Sequence, residues 1–183
     1  MVKASSQAGG MIIVVMGVSG SGKSTLGQAL AAAIGADFQE GDDLHPPANI
    51  AKMRAGLPLD DEDRAPWLER IATWIASERS SQRQGVVACS ALKRRYRQRL
   101  RQAADGMRFI YLQVSPNALQ ERLQRRTHFM PAGLLDSQLR TLEDPRNEPD
   151  VLLVDGADDL ARIVADARRW LTQPLPGVEP QAT

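Results

Sequence analysis

At 183 residues, 43% hydrophobic and 25% charged, the chain has the size and composition of one domain with a real core. Its 23 basic and 22 acidic side chains leave a net charge of +1, so the chain as a whole offers no argument for nucleic acid or a membrane surface. Cys89 stands alone, which excludes an intrachain disulfide, and the longest apolar run, Met11 to Met16, is too short to span a bilayer; a cytoplasmic setting without nucleic-acid or membrane partners is expected.

Residues 1–10 are small and polar and lack the apolar core of a leader peptide, so a disordered extension is expected there. Residues 11–16 form a continuous apolar run, the pattern of a strand buried on both faces. A helix follows over 24–34, with Leu26, Leu30 and Ala33 on one face. A weak strand at 36–40 and a short helix at 48–55, stopped by Gly56, come next. The stretch 63–80 reads as an amphipathic helix turning Trp67, Leu68, Ile71, Trp74 and Ile75 inward. Then follow a strand at 86–90, a basic helix from Leu92 to Ala104, a strand at 108–114, helices at 117–126 and 134–143, a strand at 151–155 and a last helix at 158–171. The proline-rich end, 173–183, has no periodicity and is expected to be disordered. Strands alternating with helices predict one domain over 11–172, a five-stranded parallel sheet with helices on both faces. Ligands then belong in the loops after residues 16, 40, 90 and 155, at the C-terminal ends of the strands.

The first of these loops carries the clearest chemistry. Residues 17–24 read GVSGSGKS, a full match to the glycine-rich phosphate loop G-x-x-x-x-G-K-[ST]. Glycines let backbone amides approach a phosphate and permit the positive φ values that aim successive N–H groups inward. The following helix presents its positive end to the same anion. Gly17, Val18, Ser19, Gly20, Ser21, Gly22, Lys23, Ser24 and Thr25 are therefore the expected ATP-binding residues. Lys23 reaches the β- and γ-phosphates, and the Ser24 hydroxyl can ligate Mg²⁺. The guanine-reading [NT]-K-x-D of GTPases is absent, and no predicted strand ends in the paired acids of motor or AAA-type ATPases. A small chain with one such loop fits a phosphotransferase acting on a small acceptor.

The polar loop after the second strand is where that acceptor belongs. Asp42 can take a hydroxyl proton or hold Mg²⁺ through water, although an Asx turn or helix cap explains an aspartate there equally well. Asp60, Asp61 and Glu62 read as the acidic start of a helix with Pro66 in its first turn. Arg64 opposes the dipole of that turn, which points to an anionic partner. Six of the nine residues from Lys93 to Arg101 are basic. On a helical wheel Tyr96, Leu100 and Ala103 face inward, and Lys93, Arg97 and Arg101 form a neighbouring stripe. Lys93 and Arg97 lie nearest the helix N-terminus, where a bound carboxylate or phosphate would offset their misplaced charge; Arg94, Arg95 and Arg99 read as surface. Arginines flanking the aperiodic stretch between the helices at 117–126 and 134–143 suit a lid, at about 122–140, that closes over phosphates.

Taken together, GVSGSGKST, GDDLHPPANIAKM with PLDDEDRAPWL, CSALKRRYR and HFMPAGLLDSQL with TLEDP resemble the small P-loop gluconokinases, in order and at nearly that family's spacing from Met11 to Asp155. The resemblance implies a three-layer α/β fold of the nucleoside-monophosphate-kinase type with a lid, ATP and Mg²⁺ as cofactors, D-gluconate as substrate and a homodimer. It implies catalytic roles for Lys23, Asp42 and Arg125, and phosphate contacts from Arg122 and Arg126. It gives Asp42, His45, Lys52, Arg64, Lys93, Arg97 and His128 to the substrate, and Ser24 and Asp42 to the metal. The family's Arg-x-Gly-His-Phe is here Arg125-Arg126-Thr127-His128-Phe129, one residue closer to Arg122, which leaves open whether Arg125 or Arg126 meets the phosphates. The competing readings are a related kinase with a shikimate- or adenylylsulfate-type acceptor, an ATP-binding regulator without transfer activity, and an RNA-binding protein using the basic run from Lys93 to Arg101.

Overall fold

The structure is a computed structural model, and it describes residues 10–124 and 132–175. Five parallel strands form one sheet in the order β2-β3-β1-β4-β5. They are β1 (Ile12–Met16), β2 (Asp37–Glu40), β3 (Gly85–Ala88), β4 (Arg108–Gln113) and β5 (Val151–Asp155). The apolar run predicted both-face burial for β1, and all five of its residues are buried at the centre of the sheet. Val14 lies opposite Val87 on one side and Phe109 on the other.

Alternation along β1 divides the core. Ile12, Val14 and Met16 face α3 (Asp61–Ser80) and α4 (Arg94–Arg101), where Trp67, Ile71, Ile75, Tyr96 and Leu100 pack. Ile13 and Val15 face α1 (Lys23–Ile34) and α7 (Leu160–Leu171), meeting Leu26, Leu30, Ile163 and Ala167. A smaller cluster of Val18, Leu92, Leu119 and Leu135 seats α5 (Pro116–Gln124) and α6 (Ala132–Thr141) against the loop after β1. None of the helices among the described residues is long and apolar enough to cross a membrane.

Three details depart from expectation. The buried stripe of α1 runs through Leu26, Gly27, Leu30 and Ala31, and Ala33 is exposed, because the ring of Phe38 in β2 packs directly on Gly27 and turns the stripe that way. The helix expected from residue 63 starts at Asp61, since Asp60 caps it: the Asp60 carboxylate accepts the Asp63 N–H at 2.8 Å, and the Asp63 carboxylate accepts the Asp60 N–H at 3.0 Å. Between β2 and α2 (Pro47–Arg54), Gly41–Leu44 forms a 3-10 turn. Gly41 is required there, because a Cβ would collide with the carbonyl oxygen of Ala88 at the end of β3. That close approach sets Asp42 beside the central strands.

Candidate active site

The loop after β1 has the backbone its glycines predict. Gly17, Gly20 and Gly22 adopt φ values of 146°, 83° and 102°. A Cβ at Gly17 would stand 2.8 Å from the Leu112 carbonyl oxygen. Gly22 caps α1 in the left-handed region with no side-chain cap, so the first turn offers its amides toward the loop. Lys23 Nζ folds back to donate to the Val18 carbonyl at 3.0 Å, instead of standing in solvent. Ser24 lies half-buried in the same turn, and Thr25 is exposed. Arg122 of α5 donates to the Ser21 carbonyl at 3.0 Å and to the Gly156 carbonyl just past β5, which holds its guanidinium against the loop.

A cleft at the C-terminal ends of the strands joins this loop to the acceptor side. Ser19, Lys23, Asp42, His45, Arg64, Trp67 and Ser90 line it, with Ser137 and Gln138 of α6 on the opposite wall. The side chain of Asp42 is 72% exposed, and its Oδ1 lies 3.9 Å from His45 Nε2. His45 is 6% exposed and stacks on Trp67 with ring centroids 4.4 Å apart. Trp67 in turn donates its indole N–H to the Gly41 carbonyl at 2.7 Å, which ties α3 to the 3-10 turn. Burial pushes the His45 pKa below its usual value; Asp42 pulls the other way and Arg64 adds to the lowering. Arg64 is 9% exposed, lies over the Tyr96 ring and donates to the Tyr96 hydroxyl at 3.5 Å. No carboxylate among the described residues comes within ion-pair distance of it.

Three expected substrate residues sit elsewhere. Lys52 is held by the Asp63 carboxylate at 2.7 and 2.8 Å and does not line the cleft. Lys93, the residue capping α4, donates to both oxygens of Asp61 at 3.0 Å, where Tyr96 and Arg95 also bond. Arg97 is the plainest correction. It is 0% exposed, and every guanidinium N–H is taken: Nε by Glu148, Nη1 by the Ala91 and Leu92 carbonyls at 2.9 and 3.1 Å, Nη2 by Glu148 and the Glu143 carbonyl. It is a strut that shapes the 89–93 loop and ties α4 to the chain entering β5. Burial would raise the Glu148 pKa, but the Arg97 and Arg101 guanidiniums overcome it and hold the carboxyl below the usual range. Arg97→Met should therefore destabilise the fold by about 3–5 kcal/mol. The expected drop in melting temperature is about 10 °C, with unchanged KM values for both substrates in the surviving enzyme; a selective rise in acceptor KM would return Arg97 to the substrate.

The basic run is thus largely a set of ion pairs, with Arg99 on Glu69 and Arg101 on Asp150 and Glu148 completing it. Burial pushes the Cys89 thiol up to about 12, which removes it as a nucleophile. Arg125, Arg126 and His128 lie outside the described residues. Two residues that sequence reasoning passed over enter the site. Gln138 accepts the Ser19 N–H at 2.7 Å and donates to Ser19 Oγ at 3.0 Å, bridging α6 and the phosphate loop. Asn49 of α2, 3% exposed, reaches His45 from behind. Neutral amides within helices carry no charge or spacing signal; only their place in the quoted motif blocks could have marked them.

A family model described as an AAA domain matches residues 12–145, the P-loop core, although no strand among the described residues ends in the paired acids expected of the motor-type members. The chain is 50% identical over 145 residues to a gluconokinase of Gluconobacter oxydans, covering 79% of this chain and 82% of that one. The structure of a gluconokinase from Sinorhizobium meliloti is 53% identical and superposes with a TM-score of 0.81, covering 89% of this chain and 91% of the other. An APS kinase of Mycobacterium tuberculosis, 19% identical with a TM-score of 0.69 over 90% of this chain and 98% of its own, shares the fold.

Proposed function

Because the chain belongs to the gluconokinase family, we propose that it transfers the γ-phosphoryl group of ATP to D-gluconate, yielding 6-phospho-D-gluconate and ADP. The observation that carries this reading is Arg64, a buried cation without a carboxylate among the described residues, in the same cleft as the phosphate-loop lysine. A buried guanidinium calls for an anion, and the carboxylate of gluconate supplies one in bidentate form. The sugar-acid chain then runs from Arg64 past His45 toward Asp42 and Lys23, placing the terminal hydroxyl against the γ-phosphate.

The chemistry asks mainly for alignment and charge stabilisation. Lys23 and the loop amides hold the phosphates. Asp42 accepts the hydroxyl proton as the oxygen–phosphorus bond forms, and the bond to the β-phosphate oxygen breaks. Arg122, already against the loop, stands ready beside the phosphates. The residues also fit Mg²⁺ carried in by the nucleotide. The Ser24 hydroxyl in the first turn of α1 and the Asp42 carboxylate lining the cleft are both hard oxygens, and no cluster of three His, Cys, Asp or Glu side chains among the described residues would hold an ion unaided. When bound, the ion supplies charge neutralisation across the β- and γ-phosphates. Phosphate contacts by Arg125 or Arg126, a substrate contact by His128 and a homodimer belong to the same proposal and rest on the family likeness; lid closure over about 122–140 and a cytoplasmic setting belong to it too and rest on the sequence pattern.

Arg64→Met tests the reading, since it keeps the stem and removes the charge. A lost charge-assisted hydrogen bond is worth about 1.5–3 kcal/mol, or roughly 10- to 150-fold. The KM for gluconate should rise by that factor with the KM for ATP little changed, as measured by coupled ADP release. Equal effects on both substrates would remove the carboxylate from Arg64.

A further inference from the structure

We propose that Asn49 is a positioning residue that fixes His45 as the neutral imidazole protonated on Nε2, so that this nitrogen offers the cleft a hydrogen-bond donor. Asn49 Nδ2 stands 2.7 Å from the Asp63 carbonyl oxygen and 3.2 Å from His45 Nδ1. A carbonyl oxygen can only accept, so the atom facing it is the amide nitrogen. That nitrogen carries two protons and accepts none. Its second proton therefore goes to His45 Nδ1, which must present a lone pair. The ring proton is left on Nε2, on the edge facing Asp42.

Two further contacts lock the ring. Trp67 stacks on it with an interplanar angle of 10°, and the Trp67 indole is itself pinned to the Gly41 carbonyl. Nε2 is 3.9 Å from Asp42 Oδ1, too far for a hydrogen bond, so its proton remains available to an oxygen entering the cleft. The charged groups around the ring are Asp42 from the 3-10 turn, Arg64 from α3 and Lys23 from α1 across the cleft. Burial also favours the uncharged ring. The oxygen that receives the Nε2 proton is a hydroxyl of the acceptor; that part rests on the proposed gluconate reading, while the tautomer does not.

The test is a long-range ¹H–¹⁵N correlation spectrum of the ¹⁵N-labelled full chain without ligands at neutral pH. The chain has two histidines, so the His45 signals are assigned by their loss in His45→Gln. Nδ1 should resonate in the unprotonated range and Nε2 in the protonated range. Asn49→Asp keeps the size but replaces the donor by an acceptor; it should move the proton onto Nδ1 and lower kcat/KM for gluconate by about tenfold, with the KM for ATP unchanged. A protonated Nδ1 in the wild-type chain overturns the proposal, as does an unchanged tautomer in folded Asn49→Asp. Should that variant fail to fold, the wild-type spectrum decides alone. A chain inactive on gluconate that still shows the Nε2–H tautomer refutes the substrate reading and leaves the role of Asn49 standing.

Discussion

Lys23→Ala should lower kcat by about 10²- to 10³-fold while the protein still folds. Lys23 stands at the start of α1 and donates to the Val18 carbonyl across the phosphate loop. The loop itself is shaped by three glycines at positive φ and by the seating of Val18 against Leu92, Leu119 and Leu135, none of which needs the ammonium group. The change therefore falls on the transition state, where negative charge spreads over the transferring phosphoryl oxygens and a fixed cation offsets it. The measurements are steady-state turnover at saturating substrates and a thermal melt. A melt close to wild type with strongly reduced turnover is the expected pair. Near-normal turnover would remove Lys23 from the chemistry and with it the phosphate-loop assignment.

Asp42→Asn should lower kcat by about 10²-fold or more, with gluconate KM changed little. The substitution keeps shape and hydrogen bonding and removes basicity. Asp42 lines the cleft on the 3-10 turn that Gly41 lets settle against the end of β3. Asp43, on the same turn and exposed, does not line the cleft and serves as the control. Asp43→Asn should therefore be mild. If Asp42→Asn kept most of its kcat, or if Asp43→Asn were the more damaging, the proton-accepting and metal-steadying roles of Asp42 would both fall.

The phosphate loop was legible because its geometry demands a residue type: only glycine tolerates the φ values at 17, 20 and 22 together with the approach of the Leu112 carbonyl. Asp42 and Arg64 were legible as to place, one from the rule that ligands gather past strand ends, the other from a cation set against a helix dipole. Arg97 was not. A helical wheel gives the direction in which a side chain leaves its helix but not what waits there. Glu148 and the Glu143 carbonyl arrive from about fifty residues downstream, and they consume the charge that the wheel leaves open to a ligand. Lys52 and Lys93 share that history: Asp61, already explained as part of a helix start, answers Lys93, and Asp63, two residues further on, answers Lys52. Strand order was beyond local pattern too, because parallel strands of similar composition carry no label for their neighbours. Asn49 and Gln138 were silent for the reason that makes them useful, since a neutral amide can hold two groups by hydrogen bonds without changing the charge of the site.

The central claim is the identity of the acceptor, and ³¹P NMR of the full chain with ATP and Mg²⁺ tests it most directly. Parallel samples receive D-gluconate, shikimate or adenylylsulfate, and one receives no acceptor. The account predicts a new phosphomonoester signal, coupled to the C6 protons and growing in step with ADP, in the gluconate sample alone. ADP release that ignores the acceptor, or a phosphorylated product formed from shikimate or adenylylsulfate but not from gluconate, would contradict it.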